Sequence, residues 1–172
     1  MSNRSLFTLL LFVLAVFLIV KFDVATKVKV GLTIMIYGNE MRGMKGFRVV
    51  VTSPAPELEK EGLSQKTIRQ GLISSLEKAG VKSLMEGEWQ KIPGKPVLNV
   101  TVNAVKTASG LYQYAVTMEV EKSEDPQTPA AVSSEKVKTI WGTSGMGEGD
   151  VSDVRAKINE ATNLFLKAYS GV

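Results

Sequence analysis

Residues Val97 to Lys106 and Leu111 to Glu121 carry the pattern that most restricts the fold, two alternating runs joined by a turn. Leu98, Val100, Val102 and Ala104 alternate with Asn99, Thr101 and Asn103. After the turn residues Ala108, Ser109 and Gly110, the set Tyr112, Tyr114, Val116, Met118 and Val120 alternates with Gln113, Thr117 and Glu119. Strand side chains point alternately to opposite faces, so this period of two predicts an antiparallel hairpin with one buried face. A sheet with one apolar face needs a covering layer, and two helical stretches can supply it.

The first follows Ser64, a helix cap, and places Ile68, Leu72, Leu76 and Ala79 on one side before Gly80 ends it. The second follows Asp150 and repeats Val151, Val154, Ile158, Ala161, Phe165 and Ala168 at helical spacing. Three further strands are expected: Phe47 to Val51, stopped by Pro54 and Pro56; Val81 to Met85; and Lys136 to Trp141, antiparallel to the hairpin. The first two, joined through a helix, read as a right-handed parallel crossover. Glu86 to Lys91 reads as a turn or short helical piece, and Ser123 to Val132 as an exposed loop. The expected class is α+β: one mixed sheet of about five strands in β-α-β-β-β-β-α order, two helices on one face, and an apolar helix ahead of it.

That leading helix is the unbroken run Leu6 to Val20, interrupted chemically only by Thr8 and flanked by Arg4 and Lys21. Its charged start and apolar middle match a secretory signal, and at 1.5 Å per residue it reaches about 22 Å, short of a bilayer core of about 30 Å. No small-x-small cleavage site comes after it, because Asp23 stands where a small residue is wanted, while Phe22 and Val24 can extend an uncleaved anchor. Both readings stand. The division is 1–25 as signal-anchor or signal peptide, 26–45 as a tether with a possible short strand in Val28 to Tyr37, and 46–172 as one folded domain. A leading apolar run starts translocation of the chain behind it, so the domain is expected outside.

Composition excludes several functions. With no cysteine and no histidine, the chain has no disulfide, no thiolate nucleophile and no imidazole base. The basic pI of 9.2 invites a nucleic-acid reading, but Arg4, Lys21, Lys27, Lys29 and Asp23 all precede Glu40. Removing those four bases and one acid from 21 and 17 leaves 17 against 16, a net charge of +1, so no nucleic acid is expected as partner. Gly142 to Gly149 sits between a strand and a helix, where backbone amides can cradle phosphate. It lacks the P-loop lysine and the dinucleotide spacing, and Glu148, Asp150 and Asp153 repel anions, so it reads as a flexible loop. The acid clusters Glu57, Glu59, Glu61 and Glu86, Glu88 read as solvated surface, and hydrolysis by an acidic pair is the weakest alternative. No cofactor, no metal and no catalytic residue is expected. Contact with a ligand or partner falls to Tyr112, Tyr114, Trp89, Trp141, Ser144 and Glu148.

The segments RGMKGFRVVV, PGKPVLNVTV, ASGLYQYAVTMEVE and TIWGTSG, with the amphipathic helix that closes the chain, resemble a family of short exported bacterial proteins of unassigned activity, over about residues 42–169. The resemblance implies export and a single α+β domain, and nothing about chemistry. Because no competent catalytic set is found among its residues, the expected protein is non-enzymatic. It is tethered to the bacterial inner membrane through Leu6 to Val20, with its domain in the periplasm, or is released there if cleaved, and it binds another envelope protein. The alternative is a small-ligand or lipid-headgroup module built on the Tyr112 and Tyr114 face with the glycine loop as lid.

Overall fold

The computed structural model describes residues 34–36, 39–41, 43–123 and 137–171. The run Leu6 to Val20, with the expected leading helix, lies outside the described residues, as does most of the expected loop after Ser123. The chain runs β1 (Ile34–Ile36), a 3-10 turn (Asn39–Met41), β2 (Arg48–Val51), α1 (Pro56–Lys60), α2 (Gln65–Lys78), α3 (Glu86–Trp89), β3 (Val97–Lys106), β4 (Tyr112–Ser123), β5 (Val137–Gly149) and α4 (Val151–Ser170). The mixed sheet has the order β1-β5-β4-β3-β2. β3, β4 and β5 form an antiparallel meander, β2 joins β3 in parallel, and three-residue β1 pairs antiparallel with the middle of β5. The class is α+β.

Both long helices start where a side chain replaces missing backbone partners. The Ser64 hydroxyl accepts from Thr67 N at 3.2 Å, while Ser64 N donates to the Thr67 hydroxyl at 2.9 Å. At α4 the Asp150 carboxylate accepts from Ser152 N at 2.8 Å and Asp153 N at 3.2 Å, and Asp150 N donates back to Asp153 at 3.1 Å. Ile68, Leu72 and Leu76 of α2 and Val154, Ile158, Ala161 and Phe165 of α4 are buried in one core with the alternate residues of the sheet. At its centre the Phe165 ring meets Phe47 edge-on at 5.3 Å and Trp141 at 5.5 Å. Tyr169 stacks on Phe165 and donates its hydroxyl to Met44 O at 2.8 Å.

Three expectations are corrected. From residue 46 onward the sheet has four strands, because Val81 to Met85 does not form one. That segment makes a single parallel bridge at Phe47, just ahead of β2, with Phe47 N donating to Lys82 O at 3.0 Å and Leu84 N to Phe47 O at 2.8 Å, before turning into α3. The parallel partner of β2 is instead β3, which already holds the inner edge of β2. Second, α1 was not expected. Pro56 in its first turn has no N–H that the helix would need, and Glu57 and Glu59 favour its positive end.

The third correction concerns the glycine-rich segment. Gly142 to Gly149 is no loop: β5 continues through it in register with β4, from Gly142 opposite Glu119 to Gly149 opposite Tyr112. Gly145, Gly147 and Gly149 fall on the helix-covered face, where side chains have no room. A Cβ at Gly145 would stand 2.9 Å from Lys157 Cδ, one at Gly147 2.6 Å from Tyr114 Oη, and one at Gly149 2.6 Å from Asp153 Cγ. The glycines let α4 and the Tyr114 ring lie directly on the strand.

Candidate functional site

Among the described residues, no element covers the second face of the sheet. Alternation sends Thr101, Thr117 and Ser144 to it as one cross-strand row, and Asn103, Ala115 and Met146 as the next. The Thr117 and Ser144 hydroxyls lie 3.1 Å apart, Thr52 and Thr101 3.3 Å apart, and Asn99 Nδ2 donates to Glu121 Oε2 at 2.5 Å. At one end stand two large apolar side chains, Val105 at 71% exposed and Met146 at 48%. Together with Asn103, Gln113, Ala115 and Glu148 they line an open depression of about 530 Å³. The hydroxyls and amides around these aliphatic groups can form hydrogen bonds as apolar area is buried, while the Glu148 carboxylate at the rim has to keep water or find a cationic or hydrogen-bonding partner.

The six residues expected to make contact are divided among three places. Ser144 and Glu148 lie on β5 at the uncovered face, and Glu148 stands opposite Gln113. Tyr112 and Tyr114 are buried on the other face, and Trp141 is in the aromatic centre of the core. The tyrosine side chains thus lie on the face opposite Ser144 and Glu148, although Tyr114 and Gly147 also border the depression that Glu148 lines, and the glycine segment expected as a lid is a strand. Trp89 ends α3 at the β2 edge. The Arg48 guanidinium lies over its ring at 4.7 Å, and its indole N–H is buried without a hydrogen-bond partner among the described residues.

Three acids of these clusters, Glu61, Glu86 and Glu88, are each paired with a cation. Glu61 Oε1 accepts from Lys106 Nζ at 2.7 Å and from the Tyr112 hydroxyl at 2.8 Å, which links the end of α1 to the hairpin. The Lys106 hydrogen bond, then that of Tyr112, holds the Glu61 carboxyl below its ordinary value, and burial pushes the Tyr112 hydroxyl up. Glu86 pairs with Arg48 at 3.0 Å and Glu88 with Lys82 at 2.6 Å. The sequence reading missed the roles of Glu61 and of Glu40, which sits in the 3-10 turn and bridges Lys122 of β4 and Lys138 of β5. No local signal reports pairs so far apart in the chain. Among the described residues no group of acids could hold a metal ion, and no helix is long and apolar enough to cross a membrane.

No protein-family model and no curated protein sequence matches the chain. Among solved structures it is similar to a dodecamer of a PelC variant from Paraburkholderia phytofirmans, with a TM-score of 0.46 at 17% identity over 81% of this chain and 97% of that one. A second PelC dodecamer from the same organism gives a TM-score of 0.45 at 16% identity over 80% and 96%.

Proposed function

We propose that the chain is a non-enzymatic envelope protein, tethered to the membrane by Leu6 to Val20, whose folded domain binds another protein through the uncovered sheet face. The single observation behind this reading is that face itself: Val105 and Met146 stand exposed beside a row of uncharged hydrogen-bonding side chains, while the helices cover the other side. Large apolar groups rimmed by hydrogen-bonding side chains, with the Glu148 carboxylate at the margin, suit a protein partner that supplies apolar area at the centre and polar groups at the rim. The apolar run with its basic flanks supports the tether.

A photo-crosslinking residue at position 146 of the full chain, in its native membrane, is expected to yield a discrete adduct. The same residue at position 77 on the exposed side of α2 should yield none. Equal labelling at both positions, or none at position 146, overturns the reading.

A further inference from the structure

The outer edge of β2 lies away from the uncovered face and has a different character. Arg48 N donates to Pro96 O at 3.1 Å and Thr52 N to Val100 O at 2.9 Å, so these residues face β3 and, by alternation, Val49 and Val51 turn their backbone groups outward. Their carbonyls are occupied by side chains from α2: Arg69 Nε donates to Val49 O at 3.2 Å and Gln65 Nε2 to Val51 O at 2.6 Å. Between β2 and α2 runs a trough of about 510 Å³ walled by Arg48, Val50, Lys66, Arg69, Gln70 and Ile73, with no carboxylate in its lining.

Three cations in one trough stand out in a region whose net charge from Glu40 onward is only +1. Arg48 is compensated by Glu86. Lys66 has no ion pair among the described residues, and Arg69 donates to a neutral carbonyl, a weaker acceptor for a guanidinium than a carboxylate. Lys66 and Arg69 are three apart on α2 and so lie on neighbouring faces of the helix, leaving two like charges together.

We infer that this trough docks an extended acidic segment of a partner protein, which adds as a strand to the outer edge of β2 and places its carboxylates on Arg69 and Lys66. The incoming N–H groups replace Arg69 and Gln65 on Val49 O and Val51 O, and the incoming carbonyls accept from Val49 N and Val51 N. The released guanidinium exchanges a neutral acceptor for a charged one, and this exchange drives the substitution. Because β2 is only four residues long, the backbone ladder is short and the affinity depends on charge, hence on salt. The site is separate from the uncovered face and does not rest on that face's function.

The test uses the full chain in detergent micelles and a fluorescein-labelled peptide alternating glutamate and valine, with a lysine-for-glutamate twin, read by anisotropy. The acidic peptide is expected to bind and the basic twin not to. Lys66→Glu, an exposed change that leaves the fold intact, should weaken binding about tenfold, as should raised salt. Met146→Arg should leave it unchanged, which separates this site from the uncovered face. Amide exchange across 48–52 should slow when the peptide binds. Absence of binding, equal binding of the basic twin, indifference to Lys66→Glu, or binding without slower exchange at Val49 and Val51 overturns the inference, and Arg69 and Gln65 then serve only to shield the edge.

Discussion

Replacing Gly145, Gly147 and Gly149 singly by alanine should give three different changes in stability, ordered by what each new methyl meets. At Gly149 the methyl would stand 2.6 Å from Asp153 Cγ and 2.7 Å from Asp153 Cβ, so the carboxylate that receives Asp150 N at 3.1 Å has to leave. Overpacking of about 1–3 kcal/mol adds to a lost reciprocal cap of about 1 kcal/mol, a destabilisation of about 2–4 kcal/mol. At Gly147 the obstacle is the end of the nearly buried Tyr114 ring, 2.6 Å from Oη and 2.8 Å from Cζ, which corresponds to about 1–3 kcal/mol. At Gly145 the neighbour is Lys157 Cδ at 2.9 Å, part of a flexible chain that can swing aside. Its ion pair with half-exposed Glu160 at 2.6 Å is a local contact three residues along the same helix and of little worth, and alanine restricts the unfolded chain by about 0.4–1 kcal/mol, so the net change is near zero or stabilising. Equilibrium urea denaturation of the full chain, followed by tryptophan fluorescence at a common m value, measures all three. If Gly145→Ala destabilises as much as Gly149→Ala, or if all three are silent, residues 142–149 do not lie as a strand beneath α4 and the reasoning fails.

Two further outcomes rest on side-chain environment. Hydrogen bonds from Lys122 and then Lys138 lower Glu40 from 4.5 to about 2; because the folded value is the depressed one, the link it makes to β4 and β5 is complete above pH 4.5 and is lost as pH falls toward 2. Amide protection at Met41, taken relative to the intrinsic exchange rate at each pH, should fall across that window in the native chain and show no such fall in Glu40→Gln, and an unchanging native protection contradicts the assignment. Phe165→Ala, which empties the contact point of Phe47, Trp141 and Tyr169, should destabilise by about 3–5 kcal/mol in the same urea assay and shift the Trp141 emission to the red, whereas a loss under about 1 kcal/mol would mean that this ring is not central to the core.

The elements whose pattern is local were legible. The hairpin is specified by alternation, and both long helices by Ser64 and Asp150 with the apolar spacing behind them, because those signals lie within a few residues of the structure they specify. The β5 extension was not legible, since glycine carries no hydropathy and so its period of two at positions 145, 147 and 149 resembles a flexible loop. What gives those positions meaning is contact with Tyr114 and Asp153, on other elements. The extended character of Val81 to Met85 is correct in kind, but the choice of partner for β2 depends on which distant strand reaches its inner edge, and β3 does. Of the contact residues, Ser144 and Glu148 lie on the uncovered face. The aromatic residues Tyr112, Tyr114 and Trp141 went to the core, where their area is buried in preference to that of their threonine and glutamine neighbours. The trough at β2 joins residues of α2 to a strand edge, a pairing that no spacing in the chain announces.

The Glu40 bridge and the three-residue strand β1 have a mechanical consequence. Tension arriving along the amino-terminal lead meets β1 first, as shear against the middle of β5, and then the carboxylate held by two lysines, before any of it reaches the rings around Phe165. Release of β1 and of the Glu40 bridge thus comes before load reaches the hydrophobic interior, which the chain enters at Met41. A pull on this chain should lengthen it by the first segment while the remainder stays folded.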